Sequence, residues 1–180
     1  FDIARRLCRI ARVCNEFELD KHTELFLEKT LRRVKIYRTA WNLREKYYQR
    51  KNDTEGLLNV LDERKKTFSR YPGERCDIAL RKAEIMRKNG KVKEAYMYLE
   101  DVQRFLSRRR YDLTEKIFRH RLKLVENAGL NEEKMEIFED FLDEHEDQGA
   151  KLLNLTEKYI KFVSKINKTK DGARYLKGFV

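Results

Sequence analysis

The residues best suited to binding chemistry are the arginines near the middle of the chain. With one lysine they form a basic cluster of closely spaced residues, Arg104, Arg108, Arg109, Arg110, Arg119, Arg121 and Lys123. Guanidinium groups at this density repel one another, and each can bind a phosphate or carboxylate through two parallel hydrogen bonds. The cluster therefore predicts an anionic partner. The alternative is that these side chains are solvated or pair with nearby acids such as Glu100, Asp112 and Glu115.

A second charged segment has the opposite sign. Residues 131–147 contain nine acidic residues and one lysine, although the formal net charge of the protein is +11. The segment lacks the glycine and the alternating oxygen ligands of a calcium-binding loop, so no metal site is predicted. A solvated helix face is the simpler interpretation. A docking surface for a basic partner is the functional one.

The residues that usually carry catalysis form no recognisable motif. The sequence has no glycine-rich phosphate loop, no zinc-protease motif and no nucleophile elbow. His22, His120 and His145 fall in different predicted helices and are interpreted as solvated surface residues. The three cysteines lack the CxxC spacing of a zinc site and are interpreted as buried thiols. We therefore expect no enzymatic activity and no cofactor.

Helical periodicity recurs along the whole chain and is the strongest structural signal. One proline and seven glycines in 180 residues are too few for a turn-rich β fold. Aromatic residues fall mostly beside apolar stripes, which favours core packing over base stacking. Beyond residue 50 the pattern predicts six helices, over residues 54–68, 75–89, 92–106, 111–128, 131–142 and 152–166.

The first fifty residues and the helix ends give more specific expectations. Residues 21–50 suit either one long helix or two helices with a tight break. Thr54 and Asn131 are expected to act as N-caps, and residues 71–73 (Tyr-Pro-Gly) to stop a helix. The first helix is predicted to bury one stripe of residues, Ile3, Leu7, Ile10 and Cys14.

Breaks between paired helices recur at a nearly constant interval. Asn52, Gly90 and Gly129 lie 38 and then 39 residues apart, which is typical of stacked α-hairpins. Around the central break, residues 76–106 carry a small residue, a turn glycine, a second small residue and a large apolar residue at Ala83, Gly90, Ala95 and Leu99. In these positions the segment resembles a tetratricopeptide (TPR) repeat, whose small residues let two helices approach closely.

The resemblance implies an all-α fold of antiparallel helical hairpins, stacked as a short TPR-like α-solenoid of about seven or eight helices. We expect a single domain over residues 1–180. In this family the first helix of each hairpin lines a groove for partners. The groove residues implied for the central unit have mixed charge and are Asp77, Leu80, Glu84, Arg87 and Lys88.

Two features that the sequence lacks bear on the expected location of the protein in the cell. It has no run of 18 apolar residues, and arginines follow Phe1 where a signal peptide would be apolar. We expect an intracellular protein, cytoplasmic or nuclear, that does not enter a membrane and is a fragment of a longer chain. Exposed apolar ends, including Phe1, Val180 and the apolar side of the first helix, could join two copies into a homodimer.

Two functions remain open at this point. The first is a non-catalytic scaffold or adaptor that binds another protein or the rest of its own parent chain. The alternative is a helical-repeat module that binds RNA or DNA through the basic surface of residues 81–123 and the lysines of residues 151–170. The acidic segment would repel phosphate, which favours the first function.

Overall fold

The computed structural model describes residues 1–106, 110–166 and 168, in which the secondary structure is helical without any β-strand. The described residues form nine α-helices where about seven or eight were expected, and the predicted all-α class is confirmed. None of these nine helices is both long enough and apolar enough to cross a membrane. The helices are α1 (Asp2–Glu16), α2 (Asp20–Arg33), α3 (Arg38–Arg50), α4 (Thr54–Thr67), α5 (Pro72–Lys88), α6 (Val92–Phe105), α7 (Tyr111–Asn127), α8 (Asn131–Glu144) and α9 (Leu153–Lys165).

The backbone divides into two compact units, Phe1–Ile85 and Met86–Val180. We call them unit 1 and unit 2. Unit 1 contains α1 to α4 and most of α5, and unit 2 contains the last turn of α5 and α6 to α9. The single domain expected from the sequence stays a prediction.

Unit 1 has a core shared by its first four helices. In this unit α1 packs against α2 and α3, and α3 packs against α2 and α4. Trp41 lies in this core, and its indole N–H donates to the carbonyl of Lys35 at 2.7 Å. The other buried members are mostly aliphatic or small: Cys8, Ala11, Leu27, Leu31, Ala40, Leu43, Val60 and Phe68.

The buried face of α1 differs from the predicted stripe. The helix buries its small residues Ala4, Cys8 and Ala11 together with Cys14. Ile3 is 55% exposed and Ile10 is 42% exposed, while Leu7 is half-buried, so the prediction was wrong for all but Cys14. Small side chains let two helix backbones approach, and that close packing decides which face of α1 turns inward.

The helix boundaries refine two other expectations. Residues 21–50 form two helices, separated by a turn in which the Tyr37 N–H donates to the Val34 carbonyl at 3.1 Å. Asp53 rather than Thr54 caps α4, because its carboxylate accepts a hydrogen bond from the Gly56 N–H at 2.8 Å.

Two further helix starts also differ from the expected positions. Asn131 is the first residue of α8 rather than its cap, and no side chain caps that helix. Pro72 does not act as a helix stop but begins α5, where a missing backbone N–H costs no intrahelical bond.

Four turns share one backbone geometry. The predicted breaks Asn52, Gly90 and Gly129 all have positive φ, and so does Glu18 between α1 and α2. In each case the N–H of the following residue bonds to the carbonyl five residues earlier, at 2.8–3.0 Å, as in a Schellman motif. Glu18 therefore marks a further turn of the same kind, 34 residues before Asn52. Glutamate carries no turn signature, so the sequence pattern did not reveal it.

A buried ion-pair network joins α3, α4 and α5 in unit 1. The Arg64 guanidinium pairs with the Glu45 carboxylate, and with that of Glu74 at 2.9 Å. Arg81 approaches Glu45 to 2.5 Å and Arg38 approaches Glu74 to 2.6 Å from the surface. Buried charges are tolerated when they are paired in this way, so the network fixes the three helices relative to one another.

Unit 2 has an aromatic core. Here α6 packs against α7, α7 against α8, and α8 against α9. The Phe118 and Phe141 rings stack with centroids 4.1 Å apart, and Phe138 lies 5.4 Å from Tyr159. His145 stacks on Phe141 and is 1% exposed, so its prediction as a solvated residue was wrong.

Candidate functional site

The first helices of the hairpins in unit 1 line a polar groove. Its cavity has a volume of about 700 Å³, and α1, α3 and α5 all contribute side chains. We call it the α1–α3–α5 groove. Its exposed polar residues are Arg12, Thr39, Asn42, Lys46, Gln49 and Arg81.

The α3 residues of this groove occupy the same repeat positions as the groove residues predicted on α5. They precede the turn residue Asn52 by 13, 10, 6 and 3 positions, and are Thr39, Asn42, Lys46 and Gln49. The residues at the same four distances before Gly90 are Asp77, Leu80, Glu84 and Arg87. Arg12 precedes Glu18 by six positions, as Lys46 precedes Asn52. Four α3 residues of the groove therefore follow the repeat spacing, but α5 lines the groove with Arg81, which lies nine positions before Gly90 and is none of the five residues predicted there.

The groove has a positive electrostatic character. Arg12 and Lys46 are exposed and make no salt bridge with any residue of the described ranges. Arg81 pairs with Glu45, but its side chain remains 46% exposed. The Glu45 carboxylate is itself buried and shared with Arg64, so it does not neutralise the exposed cations of the groove. These cations can pair with carboxylates of a partner.

Sequence reasoning missed the α3 side of the groove. The signal was available, because applying the α5 spacing to the predicted break at Asn52 selects Thr39, Asn42, Lys46 and Gln49. The contribution of Arg12 could not be found in this way, since Glu18 was not recognised as a turn residue.

The five groove residues predicted on α5 are only partly available. Asp77, Leu80, Glu84 and Arg87 are half-buried, and Lys88 is exposed. Asp77, Glu84 and Arg87 each already interact with other residues of the protein. Their role in binding a partner stays a prediction.

Three arginines of the basic cluster pair with neighbouring acids. Arg104 pairs with Glu100. Arg110 lies 3.4 Å from Asp112, and Arg119 lies 2.7 Å from Glu115. Pairing with local acids, the alternative weighed for the cluster, is thus confirmed at these three positions. Arg108 and Arg109 lie outside the described residues.

Arg121 is an interior residue and not part of an exposed basic surface. It is 1% exposed and donates hydrogen bonds to Glu100 at 3.2 Å and Gln103 at 3.4 Å. Burial lowers the pKa of the Arg121 guanidinium, and the surrounding carboxylates of Glu100 and Asp140 raise it. Arg121 lies one turn after Ile117 and one turn before Val125 on α7, both of which are buried, so it shares their inward face.

Part of the acidic segment also serves the interior of unit 2. Burial raises the pKa of Asp140, while the Arg121 guanidinium lowers it. Glu139 accepts a hydrogen bond from the Tyr159 hydroxyl, and Glu144 accepts one from Gln103 at 3.2 Å. Within the described part of the chain, no three acidic, histidine or cysteine side chains come together as metal ligands would.

All three cysteines are free thiols in the interior of unit 1. Cys8, Cys14 and Cys76 are buried, as predicted for small apolar side chains. Burial raises the pKa of the Cys8 thiol, and the nearby Arg12 guanidinium lowers it. A thiol that is buried and protonated is a poor nucleophile.

Paired helices, recurrent left-handed turns and a groove on the first helices define a class of fold. The chain has a TPR-like helical-repeat fold. The pilF protein of Pseudomonas aeruginosa has a similar structure, with a TM-score of 0.50 and 11% identity over 99% of this chain and 75% of that chain. PilW, described as a widely conserved type IV pilus biogenesis factor, is similar with a TM-score of 0.42 and 12% identity over 98% of this chain and 93% of that chain. No protein-family model and no curated protein sequence matches the chain.

Proposed function

We propose that the protein is a non-catalytic scaffold or adaptor that binds a segment of another polypeptide, or of its own parent chain, in the α1–α3–α5 groove. One observation carries this proposal. Four α3 residues line the groove, and they precede Asn52 by the same distances at which the predicted groove residues of α5 precede Gly90. The TPR-like fold supports a binding role, because this class of fold presents extended surfaces and does not build a catalytic pocket by itself.

The groove favours a segment that contains carboxylates. Arg12, Lys46 and Arg81 supply three cationic side chains, and Thr39, Asn42 and Gln49 supply hydrogen-bonding groups beside them. A bound peptide would pair its acidic side chains with these cations. Its backbone would form hydrogen bonds with the side-chain amides of Asn42 and Gln49 and with the Thr39 hydroxyl. An intracellular location is part of the proposal, and the three free thiols support it.

The described arginines of the basic cluster, on which the nucleic-acid alternative partly rests, already interact within the protein. Arg104, Arg110 and Arg119 pair with acids, and Arg121 is buried. Paired guanidinium groups gain little from replacing a carboxylate with a phosphate. A nucleic-acid arm is nevertheless included in the test, because it separates the two functions directly.

The test is a selection of dodecapeptides from a random library on the immobilised protein, followed by affinity measurement. The diagnostic variant is Arg12→Glu with Lys46→Glu, which reverses two exposed groove cations. The matched control is Lys21→Glu with Lys66→Glu, two exposed lysines of unit 1 that make no salt bridge with described residues. Both variants change the net charge equally, so a general charge effect cancels.

We expect selected peptides to be rich in Asp and Glu and to lose about ten-fold or more in affinity for the groove variant but not for the control. Peptides that bind both variants equally would refute the groove as the site. Salt-dependent binding of a single-stranded RNA that neither variant weakens, without any peptide binding, would instead favour the nucleic-acid function through the basic surface of residues 81–123 and the lysines of residues 151–170.

A further inference from the structure

The hairpin of α7 and α8 carries large side chains at two positions where the central TPR-like segment has small ones. The residues seven before and five after the turn are Ala83 and Ala95 around Gly90, both fully buried. Around Gly129 the same positions hold Leu122 and Lys134. Side chains of this size keep neighbouring helices apart, since interiors are packed without spare volume.

A cavity lies where these two large residues face α9. It has a volume of about 470 Å³, and α7, α8 and α9 all line it. We call it the α9 cavity. Its floor is apolar, with the buried side chains of Phe118, Phe138 and Leu155 and the half-buried ring of Phe162. A volume of this size accommodates one large apolar side chain.

Lysines surround the apolar floor. Lys158, Lys161 and Lys165 follow one another at intervals of three and four residues on α9, so they share one face of that helix. All three are exposed, and none pairs with an acid anywhere in the described ranges. By contrast, Lys134 pairs with Glu126 at 2.7 Å and lies 4.1 Å from the centre of the Phe162 ring.

We propose that the α9 cavity is a second binding site, for an acidic polypeptide segment that carries one aromatic or large aliphatic anchor. The anchor side chain enters the cavity and packs on Leu122 and Phe162, which are half-buried, and so removes their remaining apolar surface from water. Asp or Glu residues on either side of the anchor pair with Lys158, Lys161 and Lys165. This site lies entirely in unit 2, whereas the α1–α3–α5 groove lies in unit 1.

The apolar floor distinguishes this ligand from a simple polyanion. Three unpaired lysines alone would attract phosphate or nucleic acid equally well. A phosphate does not contact the phenylalanine rings, so only its screened charge interaction with the lysines stabilises its binding. A peptide with both an apolar anchor and acidic residues contacts the apolar floor and the lysines together. The site therefore favours such a peptide over a simple polyanion.

The experiment uses the full chain and a library of dodecapeptides with a fixed central Phe and flanking positions drawn from Asp, Glu, Ser and Gly. Selected peptides are labelled and measured by fluorescence anisotropy. The diagnostic variant is Lys158→Glu with Lys161→Glu, and the control is again Lys21→Glu with Lys66→Glu. A second diagnostic variant, Phe162→Ala, removes part of the apolar lining without changing charge. Circular dichroism confirms that each variant folds.

We expect peptides rich in Asp and Glu to be selected, with affinity that falls about ten-fold in the lysine variant and stays unchanged in the control. Replacing the central Phe of a selected peptide by Ser should weaken binding by about ten-fold or more. The variant Arg12→Glu with Lys46→Glu should leave this binding intact, so failure of the unit 1 groove does not affect the outcome.

Three results would overturn the proposal. The first is selection of peptides that bind the lysine variant and Phe162→Ala as well as the parent protein. The second is binding of heparin or RNA that depends on the lysines while the selected peptides gain nothing from the central Phe, which would make the site a polyanion site. The third is self-association in light scattering that Lys158→Glu with Lys161→Glu abolishes, which would assign the cavity to a second copy of the chain.

Discussion

Gly56 occupies a position in α4 where no larger residue fits. A Cβ atom built at this position would lie 2.3 Å from the Tyr48 ring and 2.6 Å from the Asp53 carboxylate. Alanine normally stabilises a helix relative to glycine, but here it would displace a ring packed against the core and a capping side chain.

We therefore expect Gly56→Ala to lower the free energy of unfolding by about 1–3 kcal/mol, measured by urea titration. The control is Gly73→Ala in the first turn of α5, where no atom lies within 4 Å of the added Cβ. That variant should keep or slightly increase the stability. Equal effects at the two positions would contradict the steric explanation.

Arg64 is the central cation of the buried ion-pair network. Its removal leaves the buried carboxylates of Glu45 and Glu74 without their shared partner. We expect Arg64→Ala to lower the free energy of unfolding by about 3–5 kcal/mol. In the control Arg32→Ala, an exposed pair with Glu28 is lost, and the cost should be about 0.5 kcal/mol or less. A small effect at Arg64 would mean that the network relaxes around the gap.

Asp140 predicts a specific dependence of stability on pH. Its pKa is raised in the folded protein above the ordinary 3.8, so between these two values the folded state holds more protons than the unfolded state. Stability from this residue is therefore greatest at low pH and is lost as pH rises through that interval. Asp140→Asn removes the effect.

We expect the stability of Asp140→Asn relative to the parent protein to increase as pH rises from 3 to 7, in denaturant titrations at several pH values. The sign follows from burial, which penalises the charged carboxylate more than the Arg121 guanidinium favours it. A difference that is constant over this range would show that Asp140 titrates alike in both states.

The burial of individual polar residues was the feature least predictable from the sequence. Arg121 belongs to a dense basic run and His145 to an acidic segment, and both patterns are typical of exposed side chains. Both are buried because specific partners lie beside them, Glu100 and Gln103 for Arg121, and Thr114 and Phe141 for His145. Glu100, Gln103 and Thr114 belong to other helices, so local spacing does not reveal them, whereas Phe141 lies four residues before His145 in α8.

At the scale of the element, the turns were better predicted than the helix faces. Asn52, Gly90 and Gly129 were selected as breaks because they are turn-forming residues, and all three adopt the left-handed conformation. The face of α1 was predicted from hydrophobicity alone, whereas close packing selects small residues such as Ala4 and Ala11. Periodicity locates a helix, but the size of its neighbours decides its rotation.

The turn at Glu18 offers a test of this geometry. Glu18 has a φ of 57°, a conformation that costs a residue with a side chain about 1–2 kcal/mol. Replacing it with glycine removes that cost but increases the entropy of the unfolded chain. We expect Glu18→Gly to raise the free energy of unfolding by about 0.5–1 kcal/mol.

The matched control is Glu16→Gly, which places glycine in the last turn of α1. It should lower the stability by about 0.5–1 kcal/mol, because glycine is unfavourable inside a helix. Opposite signs two residues apart would identify the left-handed turn as the cause. A loss of stability at both positions would instead mean that the Glu18 side chain, which lies 3.7 Å from Arg50, contributes more than its backbone costs.

At the scale of the whole molecule, the spectroscopic and chemical probes are unevenly distributed. The only tryptophan of the sequence, Trp41, and all three cysteines belong to unit 1. Tryptophan fluorescence and thiol reactivity therefore both report on this unit, whereas circular dichroism reports on the helices of both units.

We expect the three thiols to resist a thiol reagent in native buffer and to become reactive with the same urea midpoint as the fluorescence change. The reason is that Cys8 and Cys14 lie on α1, which packs against the helix of Trp41, and that Cys76 is buried in the same unit, so both probes require unit 1 to open. Reactivity of any thiol well below the fluorescence midpoint would reveal a local opening of unit 1.

The turns at Gly90 and Gly129 have one more consequence. No atom lies within 4 Å of the point where a side chain would begin at either glycine, so the chain there faces open space. Extra residues inserted at such a place lengthen the connection without displacing a core side chain. The protein can therefore accept an epitope, a fluorophore or a tether at these two bends and be immobilised there while its helices keep their native packing.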